Sequence, residues 1–546
     1  MTTKRLVIIP AAGLATRMMP MSASMSKAMI PVAGRPILSH ILESIKKYAD
    51  HIIVVHGVHT DIPNFLNKKN YDTVSFCMQN SKYDGPLGAI YSGLEYFDKH
   101  NRYNNEEYNL TIWLGDTLLD SDKHISDLFN ASQNDTSLYA VATVSDWSRW
   151  CLVKPDENNI IRFIDKPKDN PNTDLALVGV YNLNYPIDDI IDIAYNCVSD
   201  DNEEISDLLS AFGGYPNSRQ LQNVTTSWVD CGDLPSLYTA NSRMISNNTR
   251  GHNSITIKDG IVYKKSTNHE AESNWYESIS SQPIQIKSLA PQYYGTVSKD
   301  RYAIELCSGQ TLQELVLYNN IHRKDVWENI LNPILDKIHI MHSSKQKNIL
   351  LYPDDIEKNR HMFHLNIIER FNDMHFGRTE TILNNIEYSI LRTFLIESAS
   401  SSVKSFTTNS DVIHGDLHFG NIIFDALTNK VKLIDPRGTW GLNNNTTEGN
   451  AIYDFAKFYQ SIIGQYCHIS ADEYAVSSNE SDIYTMLEEI TDTNLLKHYS
   501  AKDIKLAKRY SILLLASAIP CHKDNPKRQH IMKNKALDLI KSGKYE

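Results

Sequence analysis

Residues 6–20 read Leu6-Val-Ile-Ile-Pro-Ala-Ala-Gly-Leu-Ala-Thr-Arg-Met-Met-Pro20, an apolar run followed by a loop of small residues. The run Leu6–Pro10 is typical of a strand that is buried on both faces. A loop of small side chains at the carboxyl end of such a strand leaves backbone N–H groups accessible to a phosphate group. Arg17 and Lys27 add fixed positive charge to this region. The stretch therefore predicts an α/β fold with a phosphate-binding loop after its first strand.

Short apolar runs and helix-like segments alternate through the first 245 residues. The further apolar runs are His51–Val55, Val74–Met78, Leu110–Leu114, Leu138–Val144 and Ala176–Tyr181. Strands that alternate with helices predict a Rossmann-like, mostly parallel sheet that is covered by helices on both faces. The turn-forming run Ser246–Asn253 has little to bury, so we place the first domain at residues 1–247.

A second domain, residues 254–546, begins with a hairpin pattern. Ser254–Lys265 reads as a strand, an Asp259-Gly260 turn and a second strand. The helical patterns that follow are Arg323–His342, Asp354–Asp373, Leu383–Ala399, Tyr453–Gln465 and Lys505–Ala518. A sheet-rich start and a helical remainder predict a bilobed α+β domain, with a small lobe at about residues 254–310 and a helical lobe at about residues 311–546.

Charge and hydropathy exclude two classes of partner. With 65 acidic and 54 basic residues the formal charge is −11, which disfavours a nucleic-acid partner. The longest apolar stretches, such as Ile512–Pro520, are shorter than the roughly 18 residues that a membrane span requires, and the chain opens without a signal-peptide pattern. Its seven cysteines are scattered singly. We therefore predict a cytoplasmic protein that binds neither nucleic acid nor membrane; the oligomeric state, including a homo-oligomer, stays open.

The loop after the first strand continues into Ser26-Lys-Ala-Met-Ile-Pro-Val-Ala-Gly-Arg-Pro36. The two stretches together resemble the signature of the sugar-1-phosphate nucleotidylyltransferases, G-x-G-T-R-x-x-P followed by P-K-x-x-x-P-V-x-x-x-P. Ala15 stands in place of the second glycine, and Ser26 in place of the proline before the lysine. The resemblance implies a GT-A-like fold and transfer of a nucleoside monophosphate from an NTP to a sugar 1-phosphate, with release of pyrophosphate. Cytidylyltransferases that act on phosphocholine carry versions of the same signature.

Further segments match this family in the expected order across about 230 residues. The positions that the resemblance assigns to nucleotide binding are Ala12, Gly13, Thr16, Gln79, Gly85 and Gly88. Two aspartates at predicted strand ends, Asp116 and Asp230, correspond to those that hold magnesium in the family. Magnesium prefers oxygen ligands, and carboxylates at the carboxyl ends of neighbouring strands would supply them near the loop.

The acceptor side of the predicted site is marked by Asp165-Lys166-Pro, which resembles the Glu-Lys-Pro element that meets the acceptor's phosphate, with Asp165 in place of glutamate. Gly179 lies in a segment that resembles the strand bordering the acceptor. Joining two anions requires charge neutralisation and alignment. We therefore expect Arg17 to serve the β- and γ-phosphates and the leaving pyrophosphate, Lys27 the α-phosphate, and Lys166 the incoming phosphate.

A second constellation stands near the other end, where residues 412–425 read Val412-Ile-His-Gly-Asp-Leu-His-Phe-Gly-Asn-Ile-Ile-Phe-Asp425. Two short apolar strands around a turn predict a hairpin that brings Asn421 opposite Ile434 or Asp435. An amide oxygen and a carboxylate so placed can share magnesium. Asp416 is then free to accept the proton of an attacking hydroxyl group.

The spacing D-x4-N-x13-D of Asp416, Asn421 and Asp435 resembles that of the aminoglycoside phosphotransferases and choline kinases, which have a protein-kinase-like fold. The resemblance implies ATP-dependent phosphorylation of a small hydroxyl compound, with Asp416 as base and the other two residues as magnesium ligands. Pro-Arg-Gly follows Asp435, unlike in most choline kinases, which favours another substrate. The segment 302–306 with Glu305 resembles the hinge strand whose backbone meets adenine.

The same resemblance implies a lysine that holds ATP on the third strand of the small lobe, paired with a glutamate on the next helix. Lys264 and Lys265 are both candidates, and Lys264 is favoured because it shares a strand face with Val262. Glu272 is favoured as its partner because it stands at helical spacing from Tyr276. The alternative glutamates are Glu270 and Glu277.

Together the two halves predict a bifunctional enzyme that needs Mg²⁺ at both sites, with ATP and a second NTP, UTP or CTP, as substrates. Its kinase phosphorylates a small hydroxyl compound, by preference a sugar, and its transferase converts the product into an NDP-sugar for surface polysaccharide or cell-wall metabolism. A choline or other alcohol kinase joined to a CTP-dependent cytidylyltransferase is the first alternative. A transferase with a non-catalytic kinase-like module is the second.

Overall fold

A computed structural model gives the structure of the chain and describes residues 3–13, 25–69, 71–101, 107–130, 136–155, 161–212, 218–247, 254–319, 321–343, 359–377, 382–402, 412–426, 428–439, 447–474, 476 and 478–545. The chain separates into two compact units, Met1–Asn247 and Asn248–Glu546.

The first unit is built on a large twisted sheet flanked by helices. Its strands are β1 (Lys4–Ala11), β2 (Pro31–Val32), β3 (Arg35–Pro36), β4 (His51–His56), β5 (Val74–Met78), β6 (Tyr108–Trp113), β7 (Thr117–Leu119), β8 (Thr136–Thr143), β9 (Cys151–Pro155), β10 (Ile161–Asp165), β11 (Leu175–Leu183), β12 (Ser218–Asn223) and β13 (Trp228–Asp230). Its helices are α1 (Ile37–Ile45), α2 (Asp61–Lys69), α3 (Gly85–Asn101), α4 (Asp122–Asn130), α5 (Ile187–Ser199), α6 (Ile205–Ala211) and α7 (Leu234–Asn247).

Strand β1 lies inside this sheet, whose path runs β10-β9-β11-β6-β1-β4-β5. It pairs in parallel with β4 and β6, and β4 pairs in parallel with β5. Strand β11 runs antiparallel to β6, β8 and β9. Residues Leu6–Ile9 are fully buried, because helices cover both faces of a parallel sheet. The predicted Rossmann-like sheet is confirmed, and its parallel core follows the apolar runs of the sequence.

The second unit begins with the predicted hairpin, which is confirmed. Strands β14 (Ser254–Lys258) and β15 (Ile261–Lys265) pair antiparallel, and Asp259 and Gly260 both have positive φ, as a two-residue hairpin turn requires. The other strands of this unit are β16 (Tyr293–Ser298), β17 (Arg301–Glu305), β18 (Gln310–Thr311), β19 (Ile422–Asp425) and β20 (Lys430–Leu433). One antiparallel sheet has the order β14-β15-β17-β16, and a smaller one has the order β18-β19-β20.

Most of the helices described in the second unit follow β18, and two precede it. The helices are α8 (His269–Ser280), α9 (Ile284–Lys287), α10 (Leu312–Tyr318), α11 (Lys324–His342), α12 (Asn366–Phe376), α13 (Asn385–Ser402), α14 (Ala451–Ile462), α15 (Tyr466–Ser470), α16 (Ser478–Leu495), α17 (Ala501–Ser517) and α18 (Pro526–Lys541). The helix predicted at 354–373 is confirmed over its described part, residues 359–373, where a π-helical turn, His361–Leu365, precedes α12; residues 354–358 lie outside the described part.

Two further features are the hydropathy of the helices and the state of the cysteines. Within the described ranges, no helix is both long enough and apolar enough to cross a bilayer. The seven cysteines are all free, and they differ widely in exposure: Cys231 is buried, whereas Cys521 is exposed.

Candidate active sites

In the first unit, Lys27, Asp116 and Asp230 lie together. Asp116 directly precedes β7, and Asp230 ends β13, which pairs antiparallel with β7 so that Asp230 stands opposite Thr117. The Lys27 ammonium group donates to Asp116 Oδ2 at 2.5 Å. Residues from three distant parts of the sequence thus form one charged cluster beside the carboxyl end of β1, where Gly115 N–H donates to the Pro10 carbonyl oxygen at 3.4 Å.

The electrostatics of this cluster suit a divalent cation. Burial raises the pKa of Asp230, and the neighbouring carboxylate of Asp116 raises it further, while the Gly232 N–H and Lys27 act against both. Two adjacent carboxylates of which one is desolvated would be stabilised by a cation between them. Among the described residues, no group of three or more His, Cys, Asp or Glu side chains could hold a metal ion. Two carboxylates fit Mg²⁺, which usually completes its shell with substrate phosphates and water.

Ser26 and Asp61 hold the backbone next to Lys27. The Asp61 carboxylate accepts the Ser26 N–H at 2.6 Å and the Ser26 hydroxyl at 2.7 Å, and it also accepts the Ile62 N–H at 2.9 Å at the start of α2. Ser26 and Asp61 are both buried. This contact was not foreseen, because no local pattern links two residues that are 35 positions apart.

The predicted phosphate-binding loop is described only at its start. Ala12 lies against Gly57, where an added Cβ would come within 2.5 Å of the Ala12 carbonyl oxygen. Gly13 is exposed, and nothing lies within 4 Å of the position where its Cβ would be. Thr16 and Arg17 lie outside the described residues, so their predicted roles stay predictions.

The segment predicted to contact the base is organised by contacts within the chain. The Gln79 side-chain amide donates to the Tyr83 carbonyl oxygen at 2.9 Å and to that of Gly85 at 3.3 Å. Gly85 has φ +69, and a Cβ there would meet the Glu203 backbone at 2.7 Å. A Cβ on Gly88 would meet the Tyr83 backbone at 2.7 Å. Both glycines are therefore required by close packing of the loop that leads into α3.

Lys166 and Asp165 lie at the end of β10 beside a residue that the sequence did not single out. The Lys166 ammonium contacts Glu204 Oε1 at 2.6 Å and Asp165 Oδ2 at 3.3 Å, and the hydrogen bond to Glu204 raises the pKa of Lys166. Gly179 has φ +90 at a bulge in β11, and a Cβ there would come within 2.8 Å of the side chains of Leu114 and Thr117.

In the second unit, helix α14 fixes the loop that carries Asp416. The fully buried Asp454 carboxylate accepts the N–H groups of His414 and Gly415 at 2.8 and 2.7 Å, and His342 Nε2 lies 3.0 Å from it. His414 Nε2 lies 2.8 Å from the Ile434 carbonyl oxygen and so ties the loop to the end of β20.

Asp416 is surrounded by groups that stabilise its charged form. Lys457 Nζ lies 3.0 Å from Asp416 Oδ1, and His418 Nε2 lies 3.7 Å from Oδ2. The Asn421 amide donates to the Asp416 backbone carbonyl at 2.8 Å. Burial raises the pKa of Asp416, but Lys457 and His418 lower it by more, so it lies well below its usual range. The sequence patterns do not single out Lys457, which stands three positions after Asp454 on α14.

The hairpin β19–β20 places Asn421 as predicted. Its register pairs Ile422 with Leu433, and the Ile434 N–H donates to the Asn421 carbonyl oxygen at 3.0 Å, so Asn421 stands opposite Ile434. Asp435 follows with φ +55, which turns the chain out of the strand. Burial lowers the pKa of His418, and the carboxylates of Asp416 and Asp435 both act against this effect.

Lys264 and Glu272 form the buried ion pair that the sequence favoured. Lys264 Nζ lies 2.9 Å from Glu272 Oε2 and 2.9 Å from Asp435 Oδ1. The Tyr302 hydroxyl also donates to Glu272, at 2.5 Å. Burial lowers the pKa of Lys264, but the two carboxylates raise it by more, so the ammonium form is held. Lys264 lies on the second described strand of this unit, β15, and not on a third strand as predicted.

The alternative lysine and the alternative glutamates do not form this buried ion pair. Lys265 pairs with Asp300 at 2.8 Å, and Glu270 and Glu277 are exposed. The predicted hinge strand is β17, but the N–H of Glu305 donates to the Gln292 carbonyl oxygen at 2.8 Å. That N–H is therefore engaged within the protein, and an adenine contact by Glu305 would have to use its carbonyl oxygen.

Comparison with known proteins concerns the first unit. Residues 6–247 match the profile of the family described as Nucleotidyl transferase. The chain is similar to the "Bifunctional protein GlmU" of Methanococcus aeolicus, with 27% identity over 243 residues that cover 44% of this chain and 54% of the relative. It is also similar to the "UTP–glucose-1-phosphate uridylyltransferase" of Staphylococcus epidermidis, with 26% identity over 211 residues, 34% of this chain and 73% of the relative.

Among solved structures, UDP-glucose pyrophosphorylase from Acinetobacter baumannii aligns with 46% of this chain and 95% of its own at 19% identity, with a TM-score of 0.36. The chain spans about half the length of the GlmU relative. The first unit has a nucleotidyltransferase fold, as the profile match over its sheet and helices shows.

Proposed function

We propose that the first unit transfers a nucleoside monophosphate from an NTP to a sugar 1-phosphate and releases pyrophosphate. The observation that carries this proposal is the cluster of Lys27, Asp116 and Asp230 at the carboxyl end of β1, inside the stretch that matches the nucleotidyltransferase profile. Attack of one phosphate on another needs positive charge at the reacting phosphorus, and this cluster supplies a lysine and a place for Mg²⁺.

Each charged group then has a task that follows from its position. Asp116 and Asp230 would hold Mg²⁺, which neutralises the triphosphate and polarises its α-phosphorus. Lys27, which contacts Asp116, would bind the α-phosphate as its phosphorus gains a fifth oxygen neighbour. Lys166 would bind the phosphate of the acceptor, and Glu204 would release it when that phosphate arrives.

A sugar 1-phosphate and UTP are the substrates that the relatives favour. One similar protein bears the name UTP–glucose-1-phosphate uridylyltransferase, and the match covers 73% of its length. The first test is therefore to incubate the full chain with Mg²⁺, each NTP and a panel of sugar 1-phosphates, and to measure pyrophosphate. We expect release with at least one UTP and sugar 1-phosphate pair, and its loss in Asp116→Asn and Asp230→Asn. Turnover with CTP and phosphocholine alone would contradict the sugar assignment.

We further propose that the second unit phosphorylates a small hydroxyl compound, by preference a sugar, with ATP and Mg²⁺. The observation that favours this activity is that Asp416, Asn421 and Asp435 lie at one region, and that Asp435 contacts the buried Lys264–Glu272 pair. In this arrangement Asp416 accepts the hydroxyl proton, and Asn421 and Asp435 would hold the metal ions that bridge the phosphates.

The two proposed activities follow each other chemically, because a kinase that forms a sugar 1-phosphate supplies the acceptor of the transferase. The test is ADP formation by the full chain with ATP and a panel of unphosphorylated sugars and alcohols. We expect turnover with a sugar and its loss in Asp416→Asn. If no acceptor gives ADP while pyrophosphate release persists, the second unit is a non-catalytic module.

A further inference from the structure

Helix α14 presents two charged side chains to the loop around Asp416. Asp454 and Lys457 are three positions apart and therefore share a helix face. Asp454 is fully buried and binds the backbone N–H groups of His414 and Gly415, whereas the Lys457 side chain is 14% exposed and ends at the Asp416 carboxylate. Asp454 thus fixes the loop, and Lys457 brings a cation to the Asp416 carboxylate.

The position of Lys457 relates it to the reacting atoms. A hydroxyl group that gives its proton to Asp416 lies one hydrogen bond from that carboxylate, about 2.7 Å. Lys457 Nζ lies 3.0 Å from Oδ1 of the same carboxylate, so it is within about 8 Å of the attacking oxygen, whichever carboxylate oxygen accepts the proton. Asp416 is itself 37% exposed, so the pair borders an accessible surface and not the core.

An ion pair that only assisted Asp416 as a base would not explain why Lys457 contacts it. An ammonium at 3.0 Å stabilises the charged form of a carboxylate and so weakens it as a proton acceptor. Phosphoryl transfer through a loose transition state needs little help from a base in removing the hydroxyl proton. It does place charge on the oxygens of the transferred group. Lys264 is meanwhile engaged by Glu272 and Asp435. The charge that an ammonium beside Asp416 can neutralise is therefore that of the γ-phosphoryl group.

We propose that Lys457 is a catalytic residue of the second unit, whose ammonium donates a hydrogen bond to an oxygen of the γ-phosphoryl group during its transfer. This assignment rests on the proposed kinase activity. In the step, the acceptor oxygen forms a bond to the γ-phosphorus, the bond from that phosphorus to the β–γ bridging oxygen breaks, and ADP leaves. The hydroxyl proton passes to Asp416, and Lys457 keeps its own protons throughout.

The test compares Lys457→Met and Lys457→Arg in the full chain, with ATP, Mg²⁺ and the acceptor that wild type uses. We expect kcat for ADP formation to fall about 10²-fold in Lys457→Met while KM for ATP changes less than about threefold, since one preorganised donor to the transition state is lost. Lys457→Arg, which keeps the charge, should recover about tenfold of this loss. Pyrophosphate release by the first unit should stay unchanged.

Lys508 on α17 provides a matched control. Its side chain is 13% exposed and pairs with Glu488 at 2.8 Å and Asp492 at 2.6 Å. Lys508→Met removes a comparable ion pair and should lower the unfolding temperature without lowering kcat. Wild-type kcat in a folded Lys457→Met variant would overturn the assignment, as would equal kcat losses in the two Met variants. Absence of ADP formation by wild type with every acceptor would instead overturn the kinase activity, and the assignment of Lys457 with it.

Discussion

Asp61 fixes Lys27 without touching the reacting groups. Its carboxylate binds both the N–H and the hydroxyl of Ser26, the residue before Lys27, at 2.6 and 2.7 Å. We expect Asp61→Asn to lower kcat of nucleotidylyl transfer about tenfold with little change in KM for the NTP, because an amide cannot accept both hydrogen bonds. Kinetics of pyrophosphate release measure the effect.

Ser26→Ala and Ser26→Thr complete this test. Alanine removes one of the two hydrogen bonds, and threonine keeps the hydroxyl group. A kcat for Ser26→Thr that stays close to wild type, next to a lower kcat for Ser26→Ala, supports a positioning role for Asp61. Equal kcat values in all these variants would show that the contact with Asp61 does not position Lys27.

His40 makes the stability of the first unit depend on pH. Burial and, to a smaller extent, the charge of Arg35 lower its pKa from 6.5 to about 4, although the hydrogen bond between its Nε2 and the Val32 carbonyl oxygen opposes both effects. Because the folded pKa lies below the unfolded one, the contribution is complete above pH 6.5 and is lost as the pH falls toward 4. We expect this loss to be about 3 kcal/mol.

Hydrogen exchange of peptides from residues 31–45 at pH 7 and pH 5, read by mass spectrometry, measures this effect locally. His40→Gln keeps a donor to the Val32 carbonyl oxygen and does not titrate in this range. The pH dependence of protection should therefore be weaker in His40→Gln than in wild type. If wild type and His40→Gln show the same pH dependence of protection, groups other than His40 cause it.

Individual elements also depend on close backbone approaches. The segment after β20 contains Gly438, which has φ +65, and a Cβ there would lie 2.1 Å from the carbonyl oxygen of Ala271 in α8. The next residue of α8 is Glu272, the partner of Lys264. We expect Gly438→Ala to displace α8 and to weaken MgATP binding at least about tenfold, since Glu272 moves with the helix. Calorimetry with MgATP measures this.

Gly260 in the β14–β15 turn is the matched control for this substitution. It also has positive φ, at +75, but nothing lies within 4 Å of its Cβ position. Gly260→Ala should therefore cost only about 1 kcal/mol of stability and leave MgATP binding near the wild-type value. Equal losses of affinity in both variants would mean that backbone strain, and not the contact with α8, is responsible.

At the level of the whole chain, each of the two compact units contains the residues of one proposed activity. We therefore expect Lys27→Met to abolish pyrophosphate release and keep ADP formation, and Asp416→Asn to do the reverse. An equimolar mixture of the two variants should form the NDP-sugar from ATP, NTP and the unphosphorylated sugar, because the sugar phosphate can diffuse from one chain to the other. Product analysis by chromatography measures the result.

Two results of the assay with mixed variants would contradict these expectations. If each variant keeps its one activity but the mixture forms no NDP-sugar, the phosphorylated intermediate does not pass through solution between the proposed activities. If Lys27→Met lowers ADP formation as strongly as pyrophosphate release, the two activities are not separable and the division of roles between the units is wrong.

The sequence by itself determined the features that neighbours along the chain encode. Alternating apolar runs predicted the parallel core around β1, because burial on both faces demands continuous apolar residues. Asp259-Gly260 predicted the β14–β15 hairpin, because few residues tolerate positive φ. The predicted register of Asn421 opposite Ile434 or Asp435 followed from the strand spacing alone and is confirmed at Ile434.

Only the tertiary structure decided which distant side chains meet. Asp61 with Ser26, Glu204 with Lys166, and Lys457 with Asp416 join residues that are 35, 38 and 41 positions apart. No periodicity links such pairs, because their contact depends on how helices and loops pack against one another and not on the conformation of either segment. The strand of Lys264, by contrast, was encoded locally: the hairpin pattern placed it on the second strand, β15, although the resemblance to kinases implied a third strand.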